Sequence, residues 1–241
     1  PILLLPLFIA CTEAPSPDPQ AIINATIQAH GGDRFDASTI DFDFRGTHFT
    51  VMHDQGVFSY ARSYRDSVGQ VRDVLYNDGF FREINGNVTV LSKRMRQILQ
   101  GSVNSVVYFA LLPFKLDDPS VKKRYLGQET MNGQRYHKVE VTFTRDSGGV
   151  DWNDVFVYWI HKDNNGMDYL AYLYHVNGGG TRFREAHNIR TVEGIRFTDY
   201  RNYKAEAEDL PLEEYGRAFN EGGLVKVSDV DIENIQVKLV N

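Results

Sequence analysis

The sequence predicts a mainly β, α+β chain: one large antiparallel sheet of about a dozen strands, curved rather than flat, with helices at only two places. Three observations carry this. From Thr39 to the C-terminus apolar residues recur with a period of two, the signature of strands. Asn-Gly and Asp-Gly pairs punctuate the segments, and both positions of such a turn need positive φ. The 13 Tyr and 15 Phe suit a pleated surface. A sheet of this size cannot stay flat against its own twist.

The first helix is expected to start at Asp18, which can cap, followed by Pro19 in the first turn. Ile22, Ala25 and Ala29, widened by Ile23 and Ile27, form its apolar stripe. Gly31 and Gly32 stop it, and His30 lies in its last turn near the dipole. In "IDFDFRG" Ile40, Phe42 and Phe44 then share one face, with Asp41, Asp43 and Arg45 on the other. Strands follow at "THFTVMH", "VFSYARSYR", "QVRDVLY", "FFREIN" and "NVTVLS", the last two entered through Asn77-Asp78-Gly79 and Asn85-Gly86. From Ser92 to Leu112 a helical stripe returns: Met95, Ile98, Ser102, Val106 and Phe109, supported by Leu99 and Val103. Gly101 marks an expected break and Pro113 the end. Lys93, Arg94 and Arg96 crowd the first turn of this helix, as a solvated face or as a basic surface toward anionic lipid or a partner.

Strands resume at "VKKRYLGQET" and "QRYHKVEVTF" around Met131-Asn132-Gly133, at "DVFVYWIH" and "DYLAYLYHV", and at "TRFREAHNI" and "IRFTDYRNY" around Val192-Glu193-Gly194. Ala205 to Glu221 reads as acidic and irregular, and "GLVKVSDVDIENIQVKLV" as closing the sheet. In "DVFVYWI" both faces are apolar: Phe156, Tyr158 and Ile160 oppose Val155, Val157 and Trp159. A strand with one solvated face would alternate, so this one must be covered on both sides.

At 241 residues with 42% apolar content, the chain can bury a substantial core. Hairpin signals run on without a second linker, so residues 19–241 are expected to form a single domain. A formal net charge of −6 argues against nucleic acid as a partner, which would need a basic face. The single cysteine, Cys11, excludes an internal disulfide and any multi-cysteine metal site. It follows a short apolar run, residues 1–10, too short to span a bilayer and read as the apolar part of a signal peptide truncated at Pro1. Phe8-Ile9-Ala10-Cys11 resembles the lipobox of bacterial lipoproteins, with the small residue that motif wants before the cysteine. That resemblance implies a lipidated Cys11 as membrane anchor. Residues 11–18, with Pro15 and Pro17, then form an extended tether.

Taken together, the lipobox, the helix ending in His30-Gly31-Gly32, the long meander broken by one helical segment, and "VYWIHKDNNGMDYLAYLY" resemble the LolA/LolB-like outer-membrane lipoprotein-sorting superfamily. "VEGIRF" is similar to a strand start of that superfamily, without its proline. The resemblance implies an unclosed β-barrel, a LolA-like half-barrel, with a concave face that holds a lipid or other hydrophobic small molecule under a helical lid. On that reading the ligand lies against Phe42, Phe44, Phe58, Tyr60, Tyr158, Tyr172 and Tyr174, under Met95, Ile98 and Phe109. Arg62 near the rim contacts a polar head group. The implied location is the bacterial cell envelope, lipid-anchored at the outer membrane, with an envelope protein as a further partner.

No Walker loop, complete dinucleotide fingerprint, G-x-S-x-G or H-E-x-x-H occurs, so the expectation is no cofactor, no metal and no catalytic residue. Two alternatives stay open: a hydrolase-like enzyme using His and Asp residues at the sheet rim, and a structural envelope lipoprotein without ligand.

Overall fold

The computed structural model describes residues 16–144, 153–175, 178–207 and 209–240. Residues 1–10, expected to be part of a signal peptide, Cys11, the first residues of the expected tether, and Val176 therefore lie outside the described residues. Helix α1 spans Pro19–His30. Asp18 caps it, its carboxylate accepting the Gln20 N–H at 3.0 Å. Seven strands make the first sheet: β1 (Ala37–Phe44), β2 (Thr47–Asp54), β3 (Val57–Asp66), β4 (Gly69–Tyr76), β5 (Gly79–Ile84), β6 (Asn87–Val88) and, from the far end of the chain, β14 (Glu233–Leu239). Helix α2, Lys93–Ala110, follows β6. The second sheet holds β7 (Val121–Met131), β8 (Gln134–Phe143), β9 (Val155–His161), β10 (Met167–Tyr174), β11 (Gly180–Val192), β12 (Ile195–Ala205) and β13 (Leu224–Val230). A short helix α3, Tyr215–Asn220, precedes β13.

Both sheets are antiparallel, ordered β14-β1-β2-β3-β4-β5-β6 and β13-β12-β11-β10-β9-β8-β7; β1 to β6 and β7 to β13 are meanders, and β14 joins the first from the far end of the chain. The sheets are not closed on each other, and the architecture is the open β-barrel expected. The hairpins sit where the turn residues predict them. Asn85 and Gly86 adopt φ of 51° and 79°, and Asn132 and Gly133 adopt 48° and 79°.

Four details differ from the expectation. "NVTVLS" forms only the two residues of β6, because this edge strand pairs with β5 alone and the chain turns at once into α2. Helix α2 is unbroken at Gly101; the neighbouring Ser102 is tied to the sheet by Arg62 at 2.7 Å. Residues 212–220 are not irregular: a 3-10 turn at Leu212–Glu214 leads into α3. The C-terminal segment does not close one sheet. Its first half pairs with β12 and its second half crosses to β1. Asp199, almost fully buried, accepts the Ile232 N–H at 3.0 Å and thereby pins the crossing.

Strand β9 is covered on both sides, as its sequence demands. On the inner face Phe156, Tyr158 and Ile160 pack with Ile22, Ile23 and Ile27 of α1. On the outer face Val157 and Trp159 pack with Phe183, Tyr215 and the partly buried Phe219. The connector after α2 plugs both halves of the barrel. Leu112 and Leu116 enter the core against the second sheet, while Leu111 and Phe114 enter the core against the first.

His30-Gly31-Gly32 joins α1 to the barrel. His30 is buried, and its Nε2 accepts the Met167 N–H at 3.1 Å. A Cβ at Gly31, whose φ is 146°, would lie 3.3 Å from the Ile195 backbone. Glycine there serves both the left-handed backbone and the close approach of β12.

Candidate functional site

Strand alternation sends Phe42, Phe49, Val51, Tyr60 and Leu75 to the inner face of the first sheet. Helix α2 lies across that face, packing on β3, β4 and β5. Of its 18 residues only Val103 and Val107 are buried. Between helix and sheet sits a charged strut. The Asp73 carboxylate has no solvent exposure and accepts from Arg62 Nε at 2.8 Å and from Arg82 Nε and Nη2 at 2.7 and 2.8 Å. Arg62 also donates to Ser102 Oγ of α2 at 2.7 Å, and Arg82 to the Tyr64 hydroxyl at 3.0 Å.

The inner face of the second sheet is an aromatic wall. Phe156 stacks on Tyr158 and Tyr172 with centroids 6.0 and 5.8 Å apart. Helix α2 reaches this wall through two side chains. Tyr108 shares a 2.7 Å hydrogen bond with the Tyr158 hydroxyl, and Phe109 lies 5.1 Å from the Tyr172 ring. Burial raises the Tyr108 and Tyr158 hydroxyls well above the ordinary phenol value, so both stay protonated. Tyr108, Phe109, Tyr125, Phe143 and Tyr174 are only partly buried and rim the wall.

The predicted lining residues therefore fall into two groups. Phe42, Phe44 and Tyr60 belong to the first core, with Phe42 stacked on Phe49 at 5.2 Å; Phe58 joins Tyr60 beside Leu75 and Phe80. Tyr158, Tyr172, Tyr174 and Phe109 come together on the second wall. Met95 and Ile98 lie at the other end of α2 and are about half exposed, at 46% and 54%. Arg62 is bound into the strut. The sequence reading missed Tyr108, Phe143 and Phe156 on the second wall, and it missed Arg184. Tyr108 lies about 100° round the helix from Phe109, off the predicted stripe, so helical spacing gave no signal for it. No signal was available for Arg184, because a polar residue alternating with Phe183 reads as solvent-facing.

Histidines and acids do meet at the rims, in two pairs and in one group where His48 faces both Asp43 and, at 3.4 Å, Asp41. His175 lies 3.2 Å from Asp154, His187 3.5 Å from Asp231, and His48 2.7 Å from Asp43. Among the described residues no three His, Cys, Asp or Glu side chains are placed to hold a metal ion. The His187 pair borders an open depression of about 530 Å³, but the Asp199 in it is already bound to Asn188, Arg190 and the Ile232 N–H. A second depression, about 600 Å³, lies on the outer face of the first sheet near Met52, Val57, Tyr76 and Phe81. Neither opens on the aromatic wall, which is filled by its own side chains and by α1 and α2.

Comparison with known proteins agrees with this architecture. The chain is similar in structure to a LolA superfamily protein from Nitrosomonas europaea, with 14% identity, a TM-score of 0.52, and coverage of 94% of this chain and 95% of that one. It is similar to a DUF1329 family protein from Desulfovibrio piger at 13% identity and a TM-score of 0.52, covering 91% of this chain and 93% of that one. At such identity these likenesses show the fold, which is LolA-like. No curated protein matches the sequence. The model of a family of unknown function, DUF6503, matches residues 2–234.

Proposed function

We propose, for a chain that belongs to the family of unknown function DUF6503, that it binds the apolar part of a lipid or similar hydrophobic molecule between the aromatic wall and helix α2. One observation carries this reading. An 18-residue helix lies over the inner faces with only Val103 and Val107 buried, and its contact with the second wall is made by half-buried aromatics. Lifting its C-terminal half exposes Phe156, Tyr158 and Tyr172 as a ready apolar surface.

The magnitudes allow it. Withdrawing two buried valines and the two half-buried aromatics costs about 5–9 kcal/mol, and each CH₂ of a guest buried in their place contributes about 0.8 kcal/mol. A chain of roughly six to eleven methylenes offsets the opening. Shorter guests do not, which predicts selection for long chains. The LolA-like fold supports the reading by analogy.

Membrane attachment is the second half of the hypothesis, and it rests on sequence. Ala10-Cys11 followed by a proline-bearing tether fits a lipid anchor, placing the barrel in the cell envelope near the outer membrane. Labelled palmitate fed to a Gram-negative host is expected to label the protein and not the Cys11→Ala variant. For the ligand, native mass spectrometry and lipid extraction of protein purified from membranes are paired with titration of a fluorescent fatty acid. If no lipid co-purifies and no probe binds, the chain is a structural envelope protein.

A further inference from the structure

The aromatic wall contains one residue that its chemistry does not explain. Arg184 of β11 is 8% exposed and lies cross-strand from Leu170 and Asn202. Its guanidinium sits 4.1 Å from the centroid of Phe109 on α2, and 5.2 and 5.8 Å from the Tyr172 and Tyr200 rings. One nitrogen, Nη2, donates to the Tyr172 hydroxyl at 3.1 Å. Nε and Nη1 are buried and donate to nothing. No described carboxylate forms an ion pair with it. Asp154, at the rim of β9, is taken by His175. Across the sheet the Asn202 Oδ1 is also buried without a partner. Arg182, two residues along the same face near the rim, has no acidic partner among the described residues and lies 5.5 Å from the Tyr174 ring.

Ring faces attract a cation but accept none of the N–H bonds that a guanidinium directs in its own plane. Burying a charge with donors unsatisfied is costly, and the cost is removed by an anion that brings its own acceptors. An arginine fork matches the two oxygens of a carboxylate or phosphate. Net charge points the same way. A chain of net charge −6 keeps two arginines without a carboxylate partner among the described residues on one strand face, and Arg184 lies beneath the helix that would move to admit a guest.

We infer that Arg184 is the receptor for the oxyanion end of an amphiphile, whose apolar chain lies along Phe156, Tyr158 and Tyr172. This rests on the hydrophobic-ligand reading above. Phe109 closes over the ion pair, and Arg182 at the rim draws the anion in.

The test is equilibrium binding to the purified protein of four probes with one chain length: palmitate, hexadecyl phosphate, methyl palmitate and hexadecanol, the two anions below their critical micelle concentrations and the two neutral probes below their solubility limits. At least one of the two anions is expected to bind tenfold or more tightly than the ester and the alcohol. Which anion leads names the head group. Arg184→Met is expected to bind all four with the affinity of the ester, and to melt at a higher temperature than the parent without ligand. Equal binding of anions and neutral probes by the parent overturns the inference and leaves the hydrophobic-ligand reading standing. So does a tenfold anion preference that survives in Arg184→Met. Binding of none of the four ends both. The parent comparison decides even if the variant does not fold.

Discussion

Removing the Asp73 carboxylate tests whether Arg62 is a strut or a ligand contact. Asp73 is fully shielded and accepts three charge-assisted hydrogen bonds from two arginines whose side chains are 14% and 17% exposed. Breaking a buried ion pair by deleting one partner costs about 3–5 kcal/mol. Both guanidinium groups retain a solvent edge and one other partner, Ser102 or Tyr64, which moves the expectation to the lower end, about 3 kcal/mol for Asp73→Ala. For a chain of this size about 2–4 °C of Tm is lost per kcal/mol, so the melt should fall by roughly 6–12 °C. Chemical denaturation gives the free energy directly, with an unchanged m-value if the unfolded state is unaffected. Arg62→Met should cost less, because Asp73 keeps Arg82. It should leave any preference for anionic ligands intact if Arg62 is structural. A loss below about 1 kcal/mol for Asp73→Ala would refute the strut, since an exposed pair gives that much. Loss of anion preference in Arg62→Met would return Arg62 to the head-group role.

Acid should weaken the fold through two buried histidines. Burial and the neighbouring Arg196 hold His30 at about 3, and burial and Lys115 hold His53 at about 4, against 6.5 for the free side chain. The unfolded chain takes up these protons near pH 6.5 and the folded chain refuses them, so stability is full above 6.5 and falls as pH drops toward 3–4. Each histidine should cost about 2 kcal/mol between pH 7 and 5. Urea titrations at the two pH values should show roughly half the loss in His30→Asn; an identical slope would remove His30 from the account. On the outer face, Tyr215 is 1% exposed, stacks on Phe183 at 6.4 Å and hydrogen-bonds Thr181. Tyr215→Ala should cost about 3–5 kcal/mol by equilibrium denaturation, with a near-neutral result showing that α3 is not part of the cooperative core. Residues 19–241 should melt in one transition, because the core around Phe42 and Phe49 also contains Ile195 and Phe197 of the other sheet.

Local chemistry made the strands, their order along the chain and the ends of the helices readable from sequence. Asn85-Gly86 and Asn132-Gly133 specify their hairpins because asparagine and glycine tolerate positive φ at two successive positions without a tertiary partner. Asp18-Pro19 and Ser92 start α1 and α2 because an oxygen two or three residues before an orphan N–H needs no tertiary partner. The doubly apolar β9 announced that both its faces are covered. What covers them was decided only in three dimensions. The outer cover, around Tyr215 and Phe219, comes from a stretch too acidic and too short to read as helix; it folds because β9, β10 and β11 offer it an apolar surface. The crossing of the chain from β13 to β14 depends on Asp199 meeting Ile232, 33 positions apart in the chain. Arg184 was invisible for the same reason. Alternation separates two faces but not inside from outside when both are buried, so the aromatic neighbour Phe183 went outward under α3 and the arginine went inward under α2.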